Sequence, residues 1–260
     1  MTYTVPVPSN GLFNGVPRVR VSSIYLGDYI DMLSSRNCFR VGTLVLEKCV
    51  GDASVLRDMP MVDREYVATN IFMEDFSAKA MFDMKCPACG SAFKEEFVFG
   101  EYETKFLEND DMRLFKYMLN GRMVKFVLPT EPHKDFSFRH YLHPEHFEDD
   151  FSGPESDELD SFVMSNIVLA VGIMRHTIFS CAECGFDILY RKPTGLDVLN
   201  GKDAESIAKE KAALFTALNS FANGSHQPMG GLLGLTYANM SMMSESLREI
   251  KEQEAKAFGK

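Results

Sequence analysis

Cys86-Pro-Ala-Cys89-Gly90 and, far downstream, Cys181-Ala-Glu-Cys184-Gly185 decide how this chain folds. A Cys-x-x-Cys turn offers two sulfurs to one ion, and four thiolates in two such turns suit one tetrahedral zinc. The glycine after each second cysteine permits a tight backbone with amides aimed at sulfur. Extended apolar runs flank both turns, residues 78–85 and 91–99 around the first, 177–180 and 186–191 around the second. The expectation is an α+β fold built on split zinc-ribbon-like β-hairpins, with one structural Zn2+ on Cys86, Cys89, Cys181 and Cys184. Two other readings stay open: a redox pair, which expects a single motif opening a helix, and thiols that are unliganded or disulfide-bonded. With four sulfurs bound the shell is closed, and no position remains for an activated water. Joining two distant turns costs loop entropy, so folding of the middle of the chain should be coupled to metal binding. Cys49 follows Val41, Leu44 and Val45 at helical spacing and reads as a buried small apolar residue, while Cys38 has no partner spacing.

Outward from the knuckles, the chain divides into an extended arm over residues 1–22, a metal-stapled α+β core over 23–195 and a helical tail over 203–260. In the arm, Pro6, Pro8 and Pro17 with Gly11 and Gly15 punctuate an extended stretch, and the alternation Arg18-Val-Arg-Val21 suggests a strand. An N-terminal helical segment follows, with Tyr29, Met32 and Leu33 on one helix, Val41, Leu44, Val45 and Cys49 on a second, and Tyr66, Asn70 and Met73 on a third. Pro60 precedes the third helix, and Asp63 and Glu65 suit its first turn. Between the knuckles lies an insertion with its own hairpin, in which Asn120-Gly121 separates residues 115–119 from 123–128.

Within residues 145–160, eight of sixteen positions are Asp or Glu, which reads as a solvated loop or a docking surface for a basic partner. Leu159, Phe162, Val163, Ile167, Ala170, Val171 and Met174 then recur with helical period up to the second knuckle. In the tail, Asp203 can cap a helix carrying Ile207, Leu214, Leu218 and Phe221, and a Gly-rich connector over 223–234 leads to a stripe of Met240, Met243, Leu247 and Ile250. That stripe either packs on its own domain or binds a partner, for which tethered methionines are well adapted.

Composition narrows the function. The 260 residues, 45% hydrophobic, are enough for a substantial core. A net charge of −10 argues against a phosphate-binding surface, and so against nucleic acid as a partner. The first ten residues lack a secretory pattern, and the longest apolar run, residues 167–174, is too short for a membrane span. Paired metal thiolates suit a reducing compartment. No phosphate loop, nucleophile elbow or Rossmann glycine pattern is present, and no small-molecule substrate or catalytic residue is assigned. His143-Pro-Glu145 with Cys181-x-x-Cys184 echoes a zinc deaminase, but Ser180 stands where that signature has proline, and Cys86 and Cys89 are left without a role. His140, His143 and His146 are spaced for a second metal or are ordinary surface histidines, and Pro144 breaks any helical face through them.

Five segments in order carry a family resemblance. They are Val5-Pro-Val-Pro-Ser-Asn-Gly-Leu-Phe13, the helical stretch 30–50, Asp63 heading a helix, Cys86-Pro-x-Cys89-Gly, and Gly121-Arg-Met-Val-Lys-Phe-Val-Leu-Pro-Thr130. Over residues 5–191 the chain resembles the baseplate hub protein family of T-even-like contractile-tailed bacteriophages. The resemblance implies a noncatalytic role as a hub component or hub-assembly factor. It implies other baseplate hub and tail proteins as partners, and a location in the virion tail baseplate or in the host cytoplasm during assembly. A zinc-ribbon adaptor associated with nucleic acid is the alternative.

Overall fold

The computed structural model describes residues 1–35, 40–131, 133, 135–225, 228–237, 239, 240, 242, 243, 246 and 249. Strands β1 (Thr2–Pro6) and β2 (Arg18–Ser22) pair antiparallel, with Thr2 opposite Ser22 and Pro6 opposite Arg18. Alternation turns Val5, Val19 and Val21 inward, where all three are buried. The tight return between the strands needs Gly11 at φ +71°, because a Cβ there would lie 2.7 Å from the Pro17 nitrogen. Helices α1 (Leu26–Ser34), α2 (Val41–Val50), α3 (Ala53–Arg57) and α4 (Met61–Asp75) follow. Gly51, at φ 71°, closes α2, and the Asp52 carboxylate caps α3 by accepting from the Ser54 and Val55 amides.

The remaining strands form small antiparallel pairs: β3 (Lys79–Lys85) with β4 (Ala92–Val98), β5 (Thr104–Lys105) with β8 (Gly172–Ile173), β6 (Lys116–Leu119) with β7 (Arg122–Lys125), and β9 (His176–Ser180) with β10 (Asp187–Arg191). Asn120 (φ 49°) and Gly121 (φ 80°) make the expected two-residue turn between β6 and β7. Helix α5 (Pro154–Val163) precedes β8, and α6 (Gly195–Asn200), α7 (Ala204–Ser225) and α8 (Met229–Leu233) complete the fold.

Two apolar clusters hold these elements. The first gathers Val21 from the arm, Leu26, Val45 and Ile71 from the helices, and Leu218 and Leu232 from the tail. The second centres on Phe115, Val124, Phe138, Leu159 and Ile167 of the insertion. Helix α4 runs between the parts as a spine. Its inward face is Val67, Ala68, Ile71 and Phe72. Tyr66, Asn70 and Met73, expected to share its apolar face, form the neighbouring half-buried stripe and line a small cavity with Phe99, Tyr102 and Thr104.

Three other expectations are corrected. The helical pattern across 159–174 breaks: α5 loosens into a π-helical turn at Met164–Val168, and Gly172 at φ +89° sends the chain into β8. A Cβ at Gly172 would lie 3.1 Å from the Val62 side chain, a constraint that periodicity does not register. The acidic segment is not a plain loop, since Pro154 opens α5 with Glu155 and Asp157 in its first turn, where the helix dipole favours them. The connector over 223–234 contains α8, and its exit is pinned where the Leu26 amide donates to the Leu235 carbonyl at 2.8 Å. Among the described residues no helix is long and apolar enough to cross a membrane.

Candidate metal centre

Each knuckle sits at the tip of a hairpin, and the two are built alike. In the first, the Cys86 amide donates to the Ser91 carbonyl at 2.9 Å and the Gly90 amide to the Cys86 carbonyl at 2.9 Å. In the second, the Cys181 amide donates to the Phe186 carbonyl at 2.9 Å and the Gly185 amide to the Cys181 carbonyl at 2.8 Å. Gly90 and Gly185 adopt φ of 75° and 70°, the left-handed backbone that this turn requires. The sequence reading of these glycines holds.

The four sulfurs of Cys86, Cys89, Cys181 and Cys184 lie within 4.8 Å of one another. Cys86 Sγ is 3.8 Å from Cys184 Sγ, and Cys89 Sγ is 3.7 Å from Cys181 Sγ. A disulfide would need about 2.05 Å. A tetrahedron of metal–sulfur bonds of about 2.3 Å has edges of about 3.8 Å, so the donor set fits a tetrahedral thiolate metal. Cys86 and Cys181 are buried, and Cys89 and Cys184 are exposed.

The Ser91 hydroxyl lies between the knuckles, 3.1 Å from Cys89 Sγ and 3.4 Å from Cys181 Sγ. Its hydrogen bond, with those of the Cys184 and Glu183 amides, draws the Cys181 thiol down to about 6. The Ser91 hydroxyl likewise lowers Cys89. The Phe186 amide favours the Cys184 thiolate, but the contact with Cys89, desolvation, and the contacts with Cys181 and Cys86 push that thiol up to about 12. A bound metal ion would hold all four sulfurs as thiolates.

Behind the sulfurs the hairpins meet through aromatic side chains. Phe97 of β4 stacks on Tyr190 of β10 at 5.5 Å and meets Phe179 of β9 edge-on at 6.0 Å. The second hairpin is tied to the spine by Arg175, which donates to Glu65 of α4 at 2.7 Å, to the Lys192 carbonyl at 3.0 Å and to Asp197 of α6. Arg175 is 9% exposed, and burial holds Glu65 above the ordinary carboxylate range despite that partner. The sequence reading placed Glu65 only as a first-turn residue and missed its partner; Arg175 gave no signal beyond being a charge inside an apolar stretch.

A second set of buried acids fixes the arm. Asp63, fully buried, accepts the Ser9 amide at 2.8 Å and the Ser9 hydroxyl at 2.5 Å, while Asp75 at the other end of α4 accepts the Ile24 amide at 3.0 Å. Desolvation pushes Asp63 up to about 6 against the pull of the Ser9 bonds, and burial also raises Asp75. The Met61 amide donates to the Pro129 carbonyl and the Leu107 amide to the Pro8 carbonyl, both at 2.8 Å. The proline-rich opening, the Asp63 turn and the end of the 121–130 segment therefore converge at the start of α4. Asp75 could have been suspected from sequence, because an acid in the last turn of a helix opposes its dipole.

The other candidate residues fall elsewhere. Cys49 is buried, with its thiol pushed up to about 12 by desolvation, as a packed apolar residue should be. Cys38 lies outside the described residues. His146 is not a surface residue: it is 5% exposed, with Nδ1 2.8 Å from Asp149 and Nε2 3.1 Å from Glu145. His140 stacks on His133 at 3.6 Å. The one group of metal-ligating side chains among the described residues is the four cysteines, so the deaminase arrangement, which needs His143 beside Cys181 and Cys184, is not assembled. Of the tail stripe, Met240 is 7% exposed inside the first cluster and Met243 packs against it, while Leu247 and Ile250 lie outside the described residues.

No curated protein matches the chain, and no solved structure does. A family model described as T4 bacteriophage base plate protein matches residues 1–168, from β1 through α5 and including the first knuckle, but stopping short of the second. The matched stretch holds the arm, the spine with its Asp63 clasp, the first hairpin and the insertion, and with 168 of the 260 residues matched the chain belongs to the T4 bacteriophage base plate protein family.

Proposed function

We propose that this protein acts at the baseplate hub of a contractile phage tail, as a hub component or as a factor that helps the hub assemble, without catalysis of its own. The family match over residues 1–168 carries this reading. The other hub and tail proteins are its partners, and it works in the baseplate or in the host cytoplasm while the baseplate is built. A single structural zinc on Cys86, Cys89, Cys181 and Cys184 supports that role by joining the matched part of the chain to the hairpin beyond it. These residues suit the ion because four sulfurs close its shell and leave no site for activating water.

The test is to tag the chain in infected cells and quantify it by mass spectrometry in tail-assembly intermediates and in purified virions. Recovery with hub proteins in intermediates is expected in either role, and retention in virions marks a component. Absence from both fractions would overturn the reading.

A further inference from the structure

We propose that the outward face of the second hairpin, β9 with β10, is a self-complementary surface through which two copies of this chain associate about a two-fold axis.

The outward faces of the two knuckle hairpins are finished differently. On β3 and β4 charge meets charge: Lys79 Nζ lies 3.0 Å from Glu96, Lys94 Nζ lies 3.5 Å from Asp83, and Met81 stands opposite Glu96. Such a face suits water. On β9 and β10 the outward rungs are His176 opposite Arg191, Ile178 opposite Leu189, and Ser180 opposite Asp187, and all six residues are exposed. The middle rung is wholly aliphatic, with Ile178 66% and Leu189 69% exposed. An aliphatic pair side by side in water forgoes burial that a partner surface restores.

The flanking rungs identify the partner. The Arg191 side chain is 63% exposed and 3.7 Å from Glu65, a carboxylate that Arg175 already holds at 2.7 Å. Asp187 accepts from the Ser180 hydroxyl at 2.6 Å and has no ion-pair partner among the described residues. The face therefore carries a basic rung and an acidic rung at equal distances on either side of an apolar centre. A two-fold axis crossing both strands at the central rung lays Ile178 on Ile178 and Leu189 on Leu189. The same operation sets Arg191 of one protomer on Asp187 of its partner, twice, and His176 on Ser180. An axis along the strands instead sets Arg191 on His176 and leaves Asp187 without a cation. Charge thus selects the first arrangement, an isologous contact with an apolar centre and a charged rim. A face of two five-residue strands is well short of the roughly 800 Å² per partner of a standard stable interface, so the association is weak and concentration-dependent.

Sedimentation velocity of the purified full chain, from about 1 μM to 1 mM, tests this. A monomer–dimer equilibrium that weakens with added salt is expected. Asp187→Arg alone and Arg191→Asp alone should each weaken it by at least about tenfold, because each places like charges at both rim contacts. An equimolar mixture of these two variants should regain association as a heterodimer, and a chain carrying both swaps should regain it with itself. Ile178→Ser with Leu189→Ser should abolish it. Circular dichroism checks that each variant is folded; for any charge variant that is not, Asp187→Asn with Arg191→Gln takes its place and should remove the salt dependence. A chain that stays monomeric up to 1 mM would overturn the proposal. So would a dimer indifferent to the apolar substitutions, or a mixture of folded charge variants that fails to regain association.

Discussion

Asp63 shows how one buried acid sets a pH dependence. Its carboxylate is satisfied by the Ser9 amide and hydroxyl, yet desolvation raises it to about 6. An unfolded aspartate titrates near about 3.9, so between about pH 4 and 6 the native state binds the extra proton and stability falls as pH rises through that window. Two pH units correspond to about 3 kcal/mol at most. Asp63→Asn should flatten the dependence of unfolding free energy on pH between about 4 and 7, measured by denaturant titration; an unchanged slope would mean the titrating group lies elsewhere. Asp63→Ala should lose about 1–3 kcal/mol across the range, because the Ser9 amide is left buried without an acceptor. The sequence showed Asp63 as a helix-start residue, but not that its partner sits in the arm. A residue's local signal and its distant partner are separate facts, and only the first is written in nearby letters.

At the scale of elements, the second hairpin is held by attachments besides the knuckle, among them the stack of Phe97 on Tyr190 and the Arg175 bonds to α4 and α6. Phe97→Ala should cost about 3–5 kcal/mol, and Arg175→Ala a similar amount because it leaves Glu65 only the more exposed Arg191, 3.7 Å away. Calorimetry checks both, and a change below about 1 kcal/mol in either would show that the attachment is not needed. The tail behaves likewise. Leu232 and Met240 are buried in the first cluster, and Tyr237 meets Tyr29 and Phe76. Truncation after Asn223 should therefore destabilise the protein by several kcal/mol, at about 1.5–3 kcal/mol per large buried side chain. A truncated chain as stable as the full one would restore the docking reading of the stripe. Helical spacing identified the elements correctly in α1, α2 and α7, where apolar residues repeat cleanly. It failed where a left-handed glycine at 172 or a bond to Leu235 overrode the pattern, since neither leaves a periodic trace.

For the whole molecule, the formal charge of −10 predicts no salt-sensitive binding to DNA or RNA at physiological ionic strength, which a fluorescence-anisotropy titration checks. Submicromolar binding that weakens with salt would favour a nucleic-acid-associated role. The α+β character and the four-cysteine group were legible because hairpin tips and Cys-x-x-Cys spacing are local patterns. The clasp at the start of α4 and the burial of the tail were not, because they join segments far apart in sequence. What unites the molecule is the pairing of a knuckle inside the family match with one beyond it. X-ray absorption at the zinc edge of the purified full chain tests that claim most directly. The expected result is one zinc per chain with four sulfur neighbours at about 2.3 Å, lost when Cys86 and Cys89 are both replaced by serine. A shell containing nitrogen or oxygen, or an unchanged zinc content in that double variant, would contradict it.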